Sequence, residues 1–360
     1  MNSKLQSSIT RKWLLPFAAG ATLSAILMSS YFITSKNDIS RRVQIKHLNK
    51  IRLMGAPACE LILPTLIAMS NGYFESQGLS IKELILASGT DTRTALISGD
   101  IDVALLAFVH VPLARTKNQE LKIVAGIYER EIFSVVVRSN LEDEVKTISD
   151  LRGRRIGVAK VGSGNWAAIS SYLSKAGMDP KSDVEFVPVG NNLQTVYNAL
   201  KTNQIDAYPS FEPQTTKLIR EGIVFALLSI WKEEIHKRWI GESAMSMVVG
   251  VREQTILKNP ELIQKVVNAQ RLGLIYIRTH LPEEIADVIL RDANIAAHLG
   301  GIDRLTLIAV LDKIKNNFGT SALDRKGYDN QMKMYVATGV LEYPVPFEEA
   351  TDWIFAGLSP

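Results

Sequence analysis

From Ile51 onward, short apolar runs alternate with Gly- and Asp-marked turns and with stretches of helical spacing. Ile51–Met54 reads as a strand, Gly55–Glu60 as a loop, and Leu61–Ser70 as a helix ended by Asn71-Gly72. Ser80–Leu86 is the next strand, and Ser88–Asp91 is a turn with an N-cap at Thr90 or Asp91. Thr92–Ser98 follows as a helix and Ile101–Leu106 as a third strand. The order returns about a hundred residues later. Strand Arg155–Val158 leads through the Gly-rich turn Lys160–Asn165 into helix Trp166–Lys175, with Gly177 at the place of a C′ glycine. Strand Val184–Val189, helix Leu193–Lys201 and strand Ile205–Tyr208 complete the second set. In both halves an Ala-Leu pair (Ala95-Leu96, Ala199-Leu200) is followed six positions on by Ile-Asp (Ile101-Asp102, Ile205-Asp206). The two aspartates read as turn carboxylates that accept nearby N–H groups.

Strand–helix–strand–helix–strand, written twice, predicts two α/β lobes, each a parallel sheet covered on both faces. Phe133–Arg138 and Met247–Val251 are apolar runs that read as strands crossing between the lobes and forming a hinge. The rest is helical, with starts at Pro260, Pro282, Arg304 and Phe347, and reads as cladding for the first lobe. Lobe 1 is thus assigned to residues 50–134 and 246–360, and lobe 2 to residues 135–245.

The N-terminal pattern is different. Lys4, Arg11 and Lys12 precede Trp13–Thr34, which carries no charge and is long enough to cross a bilayer. Ser30-Tyr31-Phe32-Ile33 is a poor cleavage site, so an uncleaved signal anchor is favoured over a cleaved signal peptide. Residues 1–12 are then a cytoplasmic n-region, 13–34 the anchor and 35–49 a polar tether, placing the lobes in the periplasm or at the cell exterior.

Composition narrows the chemistry. The chain has 360 residues, of which 46% are hydrophobic and 22% charged, as a globular protein of one or two domains requires. The net charge of +4 comes without a basic stripe, which argues against nucleic acid. Cys59 is the single cysteine, so an intrachain disulfide is excluded, and the five histidines show no metal-binding spacing. Neither a metal nor a cofactor is expected.

Ligands of open parallel sheets bind beyond the carboxyl ends of the strands. In the first lobe that rule selects Ala56, Pro57, Cys59 and Glu60, then Gly89, Thr90 and Asp91, then Phe108. In the second it selects Gly162, Ser163, Gly164 and Asn165, then Asn191, then Tyr208, Phe211 and Glu212, with Trp166 able to stack on a flat ligand. The turn Gly162–Asn165 feeding a helix presents free N–H groups and positive helix-dipole potential. Such turns are also common in α/β proteins that bind nothing there. A side chain at Gly164 is expected to block the backbone's approach to a ligand. Glu60, Asp91 and Glu212 in these loops favour a ligand that has donors over a bare anion, although Glu212 could equally tether its own turn.

Together, Gly72-Tyr73-Phe74 with Gly78-Leu79, the Ile-Asp turn after Ser98-Gly99, Asp150-Leu151-Arg152-Gly153-Arg154-Arg155-Ile156-Gly157-Val158 and Phe211-Glu212-Pro213 resemble the solute-binding proteins of ABC importers of the nitrate/sulfonate/taurine type, which are similar to the thiamine-precursor binding proteins. The resemblance runs from about Ile51 to Val251. It implies a type II periplasmic-binding-protein fold, two α/β lobes joined by two crossover strands, with a small polar ligand held between them and delivered to an ABC permease and its ATPase. The rival reading is enzymatic. Aryl-sulfinate desulfinases of this fold carry a nucleophilic cysteine in the first strand-to-helix loop, where Cys59 stands. That enzyme type also draws a histidine and an arginine from the next part of the lobe. Here Ser88–Leu106 contains Arg93 but no histidine. A non-enzymatic binding protein is therefore the expectation.

Overall fold

The strands in chain order are β1 (Asn49–Gly55), β2 (Leu79–Leu86), β3 (Val103–Ala107), β4 (Leu121–Tyr128), β5 (Ser134–Arg138), β6 (Arg155–Val158), β7 (Glu185–Pro188), β8 (Ala207–Ser210), β9 (Val224–Leu228) and β10 (Met247–Arg252). They form two five-stranded sheets, β2-β1-β3-β10-β4 and β7-β6-β8-β5-β9, in a computed structural model that describes residues 48–359. The segment expected to be an anchor, residues 13–34, lies outside the described residues. Among the described residues no helix is long and apolar enough to cross a membrane.

The parallel sheets read from the sequence are mixed. β1 and β3 are parallel, as are β6 with β7 and β6 with β8. β10, however, lies antiparallel between β3 and β4, and β5 antiparallel between β8 and β9. The apolar runs read as crossing strands are therefore inner strands of the sheets, and the chain passes between the sheets at Glu129–Phe133 and again between β9 and β10. Each of these two strands is delivered from the other lobe instead of by a βαβ turn of its own, so its direction is not tied to the parallel set. Both lie inside their sheets, which is why they read as continuous Val-rich runs.

Helix starts fall earlier than the apolar periodicity suggests. Cys59–Ser70 includes Cys59 and Glu60, expected in a loop. Gly89–Ser98 is capped by Ser88, whose Oγ accepts from Asp91 N at 3.1 Å, and not by Thr90 or Asp91. Gly164–Lys175 is capped in the same way by Ser163, which accepts from Trp166 N at 3.4 Å. Period alone could not place these starts, because each helix begins on small or polar residues; the serine caps place the second and third, whereas Ala58 before Cys59 makes no side-chain cap.

The two Ile-Asp turns are equivalent in three dimensions. Asp102 Oδ2 accepts from Arg52 N at 2.9 Å while Asp102 N donates to Arg52 O at 3.0 Å. Asp206 Oδ2 accepts from Arg155 N at 2.9 Å while Asp206 N donates to Arg155 O at 2.8 Å. Each aspartate thus closes a two-bond ring on an arginine of the neighbouring strand. Asp206 adds ion pairs to Arg138 and Arg155, and although burial opposes it, these bonds hold its carboxyl below the usual range.

The helical tail is more than cladding for the first lobe. Pro260–Thr279 and Pro282–Leu290 do pack on Cys59–Ser70. Arg304–Ile314 instead reaches the second lobe at helix Gln214–Arg220. Arg220 Nη1 donates to Thr306 Oγ1 at 2.7 Å, and Lys313 Nζ donates to Thr216 Oγ1 at 2.7 Å and lies 3.4 Å from Glu212 Oε1. No hydrophobic period signals such a bridge, since polar side chains make it.

The first passage between lobes carries Glu131, 1% exposed. Its Oε1 accepts from Ile132 N at 2.8 Å and Phe133 N at 3.3 Å, and its Oε2 faces Gln331 at 3.5 Å. Burial outweighs these bonds and pushes its carboxyl up to about 7. The folded state then keeps a proton that the unfolded chain loses near 4.5, so this group's contribution to stability falls as pH rises from about 4.5 to about 7 and is flat above. Glu131→Gln keeps an acceptor for the two amides and removes the titration. Melting curves of parent and variant from pH 5 to pH 8 should diverge, the parent losing several degrees relative to the variant; parallel curves would show that Glu131 is ionised in both states.

Candidate ligand-binding site between the lobes

The ends of β1, β2, β3, β6, β7 and β8 carry loops that meet across a cleft. Ala56, Gly89 and Ala107 from the first lobe and Ser163, Gly164 and Asn191 from the second line an inner cavity of about 30 Å³. Its walls are mostly apolar, with Phe133 and Phe211 set edge to face at 6.3 Å. A second cavity of about 240 Å³ opens next to it, bounded by Pro57 and Leu86, by Asn192 and Gln214, and by the tail segment Ala297–Gly300. Asn191 and Phe211 line both, so the two volumes are adjoining chambers of one cleft.

The lobes touch through polar contacts around these chambers. Lys160 Nζ meets Asp91 Oδ1 at 2.6 Å, and Asn191 Nδ2 donates to Ala87 O at 3.2 Å. Cys59 N donates to Glu212 O at 2.8 Å and Glu212 N to Glu60 Oε1 at 3.2 Å. Gly164 lies so close to the first lobe that a Cβ on it would fall 2.7 Å from Ala107 Cβ and 3.2 Å from the Phe133 ring.

Of the residues selected from the sequence, Ala56, Gly89, Ser163, Gly164, Asn165, Asn191 and Phe211 line the inner chamber, and Pro57 lines the outer one. The others have different surroundings. Phe108 packs edge-on to Tyr328 at 5.0 Å, and Trp166 lies half-buried against Phe186. Tyr208 is fully buried and donates to Gly190 O at 3.0 Å. Gly162 sits at φ +81° with open space where a Cβ would be. Thr90 lies in the first turn of its helix, where its buried Oγ1 has no partner among the described residues.

Of the carboxylates thought to favour a donor-bearing ligand, Asp91 and Glu212 are engaged elsewhere, while Glu60 accepts from Glu212 N with Oε1 and its buried Oε2 has no partner among the described residues. Asp91 pairs with Lys160 and accepts from Ser88, and the Lys160 bond holds its carboxyl below the usual range. Glu212 accepts from Thr216 N and Thr216 Oγ1 at 3.1 and 2.9 Å and faces Lys313, tethering its own turn. Glu60 is 2% exposed, and burial, then Glu212, raises its carboxyl well above the usual range. Even the Ser163 hydroxyl is committed, donating to Asn165 Oδ1 at 2.6 Å. Cys59 is fully buried, and burial, with Glu60 and Glu212 adding to it, drives its thiol up, away from the reactive thiolate.

Sequence reasoning passed over His110, which lines the inner chamber and is fully buried. Its Nδ1 lies 3.5 Å from Arg93 Nη1, and burial, then Arg93, holds the imidazole down to about 3, so it is neutral near pH 7. The signal available was a polar residue shortly after the apolar strand Val103–Ala107, near the carboxyl end where ligands bind.

Two α/β lobes, two passages between them and a chambered cleft at the strand ends define the periplasmic-binding-protein fold. The chain belongs to the NMT1/THI5 like family, whose profile matches residues 61–285. It is 23% identical over 298 residues to the riboflavin-binding protein RibY of Chloroflexus aurantiacus, covering 80% of each chain. It is 24% identical over 131 residues to the 4-amino-5-hydroxymethyl-2-methylpyrimidine phosphate synthase of Schizosaccharomyces pombe, and that match spans 36% of each. Among solved structures, the alkanesulfonate-binding protein SsuA of Xanthomonas axonopodis pv. citri bound to MOPS superposes with a TM-score of 0.66 at 17% identity, over 84% of this chain and 98% of that one.

Proposed function

We propose that this protein is an extracytoplasmic solute-binding protein that captures a small polar organic molecule between its lobes and delivers it to an ABC permease and its ATPase. The observation that carries this reading is the pair of adjoining chambers, lined from both lobes. Such a site is completed by closure, and closure reports occupancy to a partner. The two volumes suit a molecule with a small head and a larger body better than a bare inorganic ion. RibY and SsuA, both named as binding proteins, support the role. A thermal-shift screen of the purified protein against sulfonates, nitrate, bicarbonate, pyrimidines, flavins and amines tests it. A compound at a hundred times its Kd should stabilise by roughly 2.7 kcal/mol. No stabilisation by any of them would count against the reading.

The synthase relative keeps an enzymatic reading in view, and the inert surroundings of Cys59 weigh against a thiol mechanism. In the folded protein Cys59 should resist iodoacetamide at pH 7.5 and react fully in 6 M guanidinium, roughly the concentration that unfolds even hyperstable proteins. Rapid labelling of the native state would revive the nucleophile reading.

We further propose that residues 13–34 hold the protein to the cytoplasmic membrane. It should remain with membranes after a salt wash; a mature N-terminus between Ser30 and Arg41 would mean a cleaved, soluble form instead.

A further inference from the structure

We propose that His110 is the residue that recognises the bound solute, its Nε2–H donating to an acceptor atom on the solute's head group in the inner chamber. The proposal rests on the solute-binding reading and adds to it a donor and a head-group chemistry.

His110 is 0% exposed, lines the inner chamber, and its Nε2 has no hydrogen-bond partner among the described residues. The other ring nitrogen decides what Nε2 carries. Nδ1 faces the Arg93 guanidinium at 3.5 Å, and a guanidinium has donors only. Nδ1 is therefore the acceptor and Nε2 bears the proton. The low basicity of the buried ring agrees with a single proton. A buried N–H with no acceptor is costly, and such groups are rare in folded proteins unless something arrives to satisfy them.

The chain makes room for this nitrogen. A Cβ on Gly89 would overlap the His110 ring at Nε2, so the glycine lets the ring lie against the first turn of helix Gly89–Ser98. Gly164, the first residue of helix Gly164–Lys175, reaches the same chamber from the other lobe. Two capped helix N-termini and the imidazole N–H thus converge, and no carboxylate is among the residues lining the chamber. Every one of these features favours an acceptor. The head group is accordingly one with bare oxygens, a sulfonate, a carboxylate or a ring carbonyl, and its body extends into the outer chamber. This reverses the preference for a donor-bearing ligand that the acidic loop residues suggested.

Calorimetry on the full chain with methanesulfonate (an anionic acceptor), 1,3-dimethyluracil (a neutral carbonyl acceptor without N–H donors) and methylammonium (a donor only) tests the proposal, with nitrogen-15 spectra of the histidines alongside. At least one of the two acceptors should bind and methylammonium should not, and which acceptor binds tells charged from neutral head groups. His110→Leu should weaken that binding at least tenfold, and His110→Gln, which keeps an N–H near the same place, should recover most of it. The His110 signal should show an Nε2–H tautomer whose proton resonance moves downfield on binding. An acceptor that binds His110→Leu as well as the parent, or an Nδ1–H tautomer, overturns this proposal and leaves the solute-binding reading intact. Binding of methylammonium alone overturns the head-group assignment. A parent that binds neither these probes nor any compound of the wider screen overturns both.

Discussion

Gly164→Val is expected to hold the two lobes apart without unfolding either. Gly164 faces Ala107 across the cleft, and a Cβ there would meet Ala107 Cβ at 2.7 Å and two Phe133 ring atoms at 3.2 Å. Phe133 is buried and Ala107 is a half-buried strand residue packed against the core, so they have little freedom to retreat. Forcing extra methyl groups into a packed contact costs about 1–3 kcal/mol. Here that cost falls on the closed arrangement only, since an open cleft relieves it. The closed state should lose between about fivefold and about 150-fold relative to the open one, and affinity should drop by up to the same factor. Small-angle scattering should show the parent contracting with its solute while the variant keeps the larger radius. Circular dichroism should be unchanged. A variant that still contracts and binds normally would mean that Ala107 and Phe133 are not apposed to Gly164 in the bound form. The obstruction is thus between the lobes, not between backbone and ligand as the loop alone suggests.

Gly273→Leu is expected to be the most destabilising of the single substitutions considered. Gly273 lies in helix Pro260–Thr279 where it crosses helix Cys59–Ser70, and a Cβ on it would sit on the Pro64 carbonyl, 2.9 Å from the carbonyl carbon. The obstacle is backbone, which cannot swing aside. The same crossing holds the buried bond from Gln270 Nε2 to Thr65 Oγ1 at 2.7 Å, which a shift of the helix would stretch. A loss of about 3 kcal/mol or more follows from overpacking against a fixed backbone. That corresponds to roughly 5–10 °C in Tm for a chain of this size. Gly273→Ala gives the sharper sign. In an open helix it would stabilise by about 1 kcal/mol, and here it should destabilise. A rise in melting temperature would show that the two helices do not approach as described.

These two glycines mark the boundary between what sequence determines and what tertiary structure decides. The α/β grammar of both lobes was legible, because strand and helix periods and turn chemistry act between residues a few positions apart. The doubled Ile-Asp turn was legible as a repeat, but its partners were not: Asp102 and Asp206 accept from Arg52 N and Arg155 N, 50 and 51 positions away on the neighbouring strand, and not from N–H groups of their own turns. The loops at the strand ends were also recoverable from connectivity alone. What could not be read locally was where each polar group finds its partner. Glu212 meets Lys313, about a hundred positions away, and Asp91 meets Lys160 from the other lobe. Sequence marks His110 only as a polar residue near a strand's carboxyl end, and only the fold brings Arg93 to one of its nitrogens and sets its ring in the wall of the inner chamber. The antiparallel placing of β5 and β10 and the closeness of Gly273 to Pro64 depend equally on segments distant in sequence. A propensity is a property of neighbours along the chain. Desolvation, close approach and the choice of partner for a buried charge are set by whichever surfaces the whole chain brings together.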